Sequence, residues 1–165
     1  MLALEIGPGN NKTYPFAPAT PINYNVIFAD IDTPTEELKK FEWILLDASH
    51  PLPFRDETFD LVVARHVIEH LDNIQLFISE CYRILKKNGM LEIITPNFLS
   101  RDTRNDPTHK HALNIITLAK TLQNAGFEIQ LQVTAASMIP YPFRIIIHVL
   151  LNMLCDHIYI RGVKI

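Results

Sequence analysis

The chain has 165 residues, 48% of them hydrophobic and 20% charged, with a formal net charge of −3. That length suits one domain spanning 1–165 with its own core, and the balance excludes a disordered or low-complexity chain. Lys and Arg form no run, so no nucleic-acid partner is expected.

The two cysteines, Cys81 and Cys155, have neither metal-ligand spacing nor a framework pattern. Both read as reduced, buried thiols of a cytoplasmic protein. No signal peptide is expected, because Met1-Leu2-Ala3-Leu4 runs at once into Glu5 and a glycine turn. The most apolar stretch, 138–160, contains Pro140 and Pro142 and is then broken by Arg144, His148, Asp156 and His157. What remains is roughly a dozen residues against the ~20 of a spanning helix, so no transmembrane segment is expected.

Taken in chain order, β-branched or continuous apolar runs predict strands at Leu2–Ile6, Asn25–Ala29, Trp43–Leu46, Phe59–Ala64 and Met90–Thr95. A further pair is expected around Glu128–Val133 and His157–Val163. Between the first two strands, Pro15, Pro18 and Pro21 remove amide donors at every third residue. A Pro-rich loop is therefore expected where a first crossover helix would stand. A short helix over Thr35–Lys40 would link the second and third strands.

The stripe Ile74, Phe77, Ile78, Cys81, Tyr82 and Leu85 predicts a helix over Asp72–Asn88. Asp72 with Gln75 would form its capping box and Gly89 its C′ residue. Asn114 would cap a second helix carrying Ile115, Leu118, Ala119 and Leu122 on one face and stopping at Gly126. Alternation of this kind predicts a three-layer, doubly wound α/β fold with a mostly parallel seven-stranded sheet. If helical, 143–154 is apolar almost all round. It would be buried against its own sheet or a homodimer partner, or would form a lid or a peripheral membrane contact.

Gly7 and Gly9 directly follow the first strand, where positive φ and close backbone approach to a ligand are useful. Asp30 ends the second strand, where a carboxylate can accept from both hydroxyls of a ribose. Asp47 ends the third, where one can hold an adenine amine. Loops at the carboxyl ends of adjacent strands meet at the topological switch point, the usual ligand site of such folds. A dinucleotide pyrophosphate needs the N-terminus of a first helix, which the prolines remove. An adenosyl amino acid has no phosphate and loses little, so the loop favours a methyl donor over NAD.

Leu4-Glu5-Ile6-Gly7-Pro8-Gly9 resembles the first motif of class I S-adenosyl-L-methionine methyltransferases. Asp47-Ala48 with Leu52-Pro53-Phe54 and Thr58-Phe59-Asp60-Leu61-Val62 resembles their acidic signature. His66-Val67-Ile68-Glu69-His70-Leu71 and Arg83-Ile84-Leu85-Lys86-Lys87-Asn88-Gly89 resemble two later segments. The likeness covers roughly residues 2–130, with an echo in 157–164.

It implies a Rossmann-like methyltransferase fold and S-adenosyl-L-methionine as cofactor. Glu5 would organise the methionine end, with Gly7, Pro8, Gly9 and Asn10 along the same loop. Asp30 and Ile31 would meet the ribose, and Asp47 and Ala48 the adenine. Arg65 and His66 would lie near the methionine moiety and the substrate mouth. The family usually has a helix before its first strand, so the site here would be open or completed by a partner.

Asp106-Pro107-Thr108-His109 resembles a stretch that faces the acceptor in related enzymes, and His109, like His66, is a candidate general base. His109 and His111 at i and i+2 form a weak ligand pattern, and no metal site is assigned. Glu69-His70 reads either as a structural brace or as part of the substrate side. The expected function is methyl transfer to a small molecule, such as a glycan, lipid or quinone-type metabolite. A non-catalytic methyltransferase-like binding protein and an NAD-binding oxidoreductase are the alternatives.

Overall fold

The computed structural model describes residues 1–10, 19–100, 103, 106–130 and 157–165. Seven strands form one sheet: β1 (Leu2–Ile6), β2 (Asn25–Asp30), β3 (Trp43–Leu45), β4 (Phe59–Arg65), β5 (Leu85–Pro96), β6 (Phe127–Gln130) and β7 (His157–Lys164). Their order is β3-β2-β1-β4-β5-β7-β6. β1 to β5 run parallel, while β7 is antiparallel to both β5 and β6. The chain therefore winds outward in both directions from β1, the expected doubly wound topology. The carboxyl ends of β1, β2 and β4 come together.

Alternation along the strands separates two faces. Leu4, Ile6, Val62, Ala64, Leu91 and Ile93 point into the main core. Among the described residues two helices close that face, α1 (Ile74–Ile84) through Phe77, Ile78, Cys81 and Ile84, and α2 (Ile115–Asn124) through Ile115, Leu118 and Leu122. On the opposite face Ala3, Leu61 and Val63 are covered by Ala19 and Tyr24.

Three local expectations are corrected. The helix over 72–88 is shorter, and Asn73 rather than Asp72 caps it, accepting from the Leu76 amide at 3.0 Å. It stops at Ile84, not at Gly89. The amides of Glu57 and Thr58 reach the Arg83 and Ile84 carbonyls at 3.1 and 2.7 Å, so tertiary donors end the helix where a C′ glycine is not needed. Residues 86–89 then bulge out of β5, with Asn88 at φ 64°, between the Phe59–Leu85 and Leu61–Met90 pairings.

The predicted helix at Thr35–Lys40 is a pair of turns, with Leu38 and Lys39 amides both donating to the Thr35 carbonyl. So few residues cannot offset the cost of nucleating a helix. The second helix keeps its expected ends. Asn114 Oδ1 accepts from the Thr117 amide at 2.9 Å, and Gly126 stands just past the end at φ 101°.

The Pro-rich stretch is only partly described, and 19–24 there are turns and irregular chain. Pro15, Pro18, Cys155 and the 143–154 segment lie outside the described residues. Among the described residues, no helix is long and apolar enough to cross a membrane.

Candidate functional site

An open cleft of about 1130 Å³ lies across the carboxyl ends of the parallel strands. β1 enters it through Gly7, whose φ is 76° and whose amide donates to the Ala29 carbonyl at 2.9 Å. A Cβ there would lie 2.4 Å from the Arg65 carbonyl oxygen and 2.5 Å from Val67 Cγ2. The glycine is thus demanded by contact with the end of β4, as well as by its backbone angle.

Gly9, at φ 79°, turns its amide onto Asp30 Oδ2 at 3.3 Å. Asn10 is buried, and its side-chain amide donates to the Thr33 carbonyl at 2.6 Å. The glycine loop is in this way tied to β2 and to the chain beyond it.

Asp30 accepts a second bond from the Asp32 amide at 3.2 Å. Burial pushes its pKa above the ordinary carboxylate value, against the pull of those amides. Ile31 beside it is 67% exposed and gives the cleft an apolar wall.

Asp47 follows β3 with its side chain largely in solvent. Oδ1 accepts from the Ser49 amide at 2.9 Å, and Oδ2 stands 3.3 Å from His50 Nδ1. The Ser49 amide, first among these partners, holds its carboxyl below the usual range. It caps its own turn while lining the cleft with buried Ala48.

Glu5 differs from its neighbours. It lies on the opposite face of β1, fully buried, and accepts from the Ala19 amide, the Thr20 amide and Thr20 Oγ1 at 2.7, 2.9 and 2.6 Å. It is not among the residues lining the cleft. Its carboxylate fastens the chain at Ala19 and Thr20 against β1.

The other wall comes from the loops after β4 and β5. Arg65 and His66 line it, and His66 has φ 49°, an uncommon conformation for a residue with a side chain. The His66 amide donates to the Ile94 carbonyl at 2.8 Å, and its ring packs edge-on against His157 at 5.2 Å between centroids.

A single turn of 3-10 helix, Ile68–His70, follows. Glu69 is buried there, with Thr95 Oγ1 donating to Oε2 at 3.0 Å. The 106–111 loop docks on this turn, its Lys110 and His111 amides donating to the Glu69 carbonyl at 2.8 and 3.3 Å. His111 spends Nε2 on the Leu71 carbonyl at 2.7 Å. His109 instead turns inward, its ring 4.8 Å from that of His70.

The Leu52-Pro53-Phe54 run stands behind the site. Arg83 donates to the Leu52 and Phe54 carbonyls at 2.9 and 2.8 Å, while Glu80 accepts from the Leu52 amide at 2.8 Å. That clamp explains why the run and the Arg83 segment occur together.

A sequence model of the family described as "Methyltransferase domain" matches residues 4–93. The chain belongs to that family. Over 113 residues it is 36% identical to the "probable S-adenosylmethionine-dependent methyltransferase" of Mycolicibacterium smegmatis, covering 64% of this chain and 44% of that protein. It is 39% identical over 59 residues to the mitochondrial ubiquinone biosynthesis O-methyltransferase of Rattus norvegicus, 36% of this chain and 17% of that enzyme. The chain spans less than half the length of these curated relatives. A SAM-dependent methyltransferase of Archaeoglobus fulgidus superposes with a TM-score of 0.66 at 22% identity, over 99% of this chain and 86% of that one. The sheet is thus the Rossmann-like sheet of the family.

Most of the sequence-predicted set meets in this cleft: Gly7, Pro8, Gly9, Asn10, Asp30, Ile31, Asp47, Ala48, Arg65, His66 and His109. His157 was missed because it joins from β7, 91 positions after His66, and no local motif marks it.

Proposed function

We propose that the protein transfers a methyl group from S-adenosyl-L-methionine to a small-molecule acceptor. The observation that carries this is the join between the Gly9 amide and the Asp30 carboxylate at the switch point, with Ile31 exposed beside it. A carboxylate has room for about four hydrogen bonds, so the two long ones to Gly9 and Asp32 leave capacity for two ribose hydroxyls. Ile31 and Ala48 offer apolar surface to an adenine, and Asp47 a carboxylate for its amine. Glu5 serves as a positioning residue through Ala19 and Thr20.

When bound, the sulfonium supplies an already activated methyl group. The chain's own work is to align the acceptor and exclude water. If the acceptor is a hydroxyl, its proton goes to His66 or His109, which line the opposite wall. A quinone-type acceptor with an acidic hydroxyl suits that wall, in keeping with the ubiquinone enzyme among the relatives. A cytoplasmic setting fits the free, buried thiol of Cys81, whose pKa burial pushes up.

S-adenosylhomocysteine is expected to raise the melting temperature of the wild type, and Asp30→Ala to abolish the shift. No shift in the wild type would sink the cofactor reading. A shift with NADH instead would revive an oxidoreductase.

A further inference from the structure

We propose that Glu69, His70 and His109 form a binding site for one divalent transition-metal ion of the zinc type. One donor atom from each lies within 4.8 Å of the others. Two of these residues bury polar atoms that no hydrogen bond among the described residues satisfies, Glu69 Oε1 and His109 Nδ1. Their side chains are 2% and 7% exposed, so bulk solvent barely reaches either. A buried polar atom without a partner is costly, and two such atoms on residues of one 4.8 Å donor cluster point to a missing ligand.

The outer contacts have the pattern that orients metal ligands. His70 Nδ1 lies 3.3 Å from the Thr108 carbonyl and 3.1 Å from Thr108 Oγ1, whose own proton goes to Asp106 Oδ1 at 2.6 Å, so both neighbours accept from Nδ1 and Nε2 keeps its lone pair. His109 directs Nε2 toward Asp106 Oδ2 at 3.8 Å, leaving Nδ1 as donor atom. Glu69 is held at Oε2 by Thr95, leaving Oε1, which faces His66 Nδ1 at 3.3 Å. Two imidazoles and a carboxylate suit zinc and its neighbours rather than magnesium. Donor atoms about 3.4 Å apart would fit tetrahedral bonds of ~2.1 Å, so the three side chains close in by about an ångström on binding.

Three protein ligands leave a fourth position, and the site lines the same cleft as Asp30. The ion's role toward an oxygen acceptor rests on the methyl-transfer reading; its binding does not. Occupied, the site would take His109 Nδ1 out of proton transfer and leave His66 as the base.

The test is titration of the chelator-treated full chain with Co2+, followed by visible absorption, and with Zn2+ in competition. One ion per chain is expected, with visible ligand-field bands of low-coordinate cobalt and no displacement by Mg2+. Glu69→Gln and His109→Ala should each weaken Co2+ at least roughly tenfold, a loss that even outer-contact changes produce. Both should keep the S-adenosylhomocysteine melting shift, while Asp30→Ala should lose the shift and keep the cobalt spectrum. Absence of cobalt binding to the wild type would overturn the site, as would unchanged affinity in both variants. If either variant fails to fold, the wild-type spectrum and stoichiometry decide. A wild type that binds cobalt but not S-adenosylhomocysteine would refute the cofactor reading alone.

Discussion

The two walls of the cleft differ in how far their polar atoms are already satisfied. On the β1–β2–β3 side, Asp30 accepts the Gly9 and Asp32 amides, Asp47 accepts the Ser49 amide of its own turn, and Asn10 is tied to Thr33. This wall is a finished surface that needs a ligand only to replace water. On the β4–β5 side, buried Glu69 and half-buried His109 each enclose one atom that no hydrogen bond among the described residues fills. That wall stores unmet hydrogen-bonding capacity, which a fold retains only where something else meets it. On the proposed reading, binding and chemistry are divided between strands, with recognition on one side and the proton-accepting groups on the other.

The largest expected effect falls where the two walls touch. Gly7→Ala must place a Cβ against the Arg65 carbonyl at positive φ. Strain of this type costs about 1–3 kcal/mol before the clash is added. Loss of at least ~3 kcal/mol would lower the melting temperature by roughly 6–12 °C. A variant as stable as the wild type would mean that the walls are not packed as described.

A smaller effect is expected from Thr95→Val, which removes the donor to Glu69 Oε2 and leaves the carboxylate further unsatisfied. The expected loss is about 1–3 kcal/mol by chemical denaturation, with S-adenosylhomocysteine affinity unchanged. A variant that also lost that affinity would show the walls to be coupled.

The mildest probe is pH. Ligand hydroxyls donate to the charged form of Asp30, so affinity is full above its pKa and declines as pH falls through it. Since burial raises that pKa above 3.8, the decline should begin at a higher pH than an ordinary aspartate gives, by up to roughly tenfold per pH unit. In the free protein the sign is opposite: a raised carboxylate pKa costs stability above it, and acid relieves that cost. Affinity flat down to pH 4 would contradict the assignment of Asp30.

The recognition wall was legible because its parts are short strand-end motifs. Gly7, Asp30 and Asp47 each follow a predicted strand directly, with Gly9 two residues beyond Gly7, and the strands fix their positions. The reactive wall was legible only in pieces. Glu69 and His109 stand 40 positions apart, and it is the docking of Lys110 and His111 amides on the Glu69 carbonyl that joins them. Sequence spacing instead pairs His109 with His111, which faces away to the Leu71 carbonyl. The helix end at Ile84 escaped for the same reason, since its carbonyls are met by amides from the loop before β4. Glu5 keeps its place in the motif but points to the other face of the sheet, a consequence of the two-residue alternation of β1.

The division between the walls is tested most directly by mapping backbone amide shifts in a nuclear magnetic resonance titration, adding S-adenosylhomocysteine and Zn2+ separately. The first should move Gly7, Gly9, Ile31 and Ala48 while sparing the 106–111 loop. The second should move His70, His109 and Lys110 while sparing Ile31 and Ala48. Shifts from both ligands on the same wall, or none on the β1–β3 side with S-adenosylhomocysteine, would contradict the account.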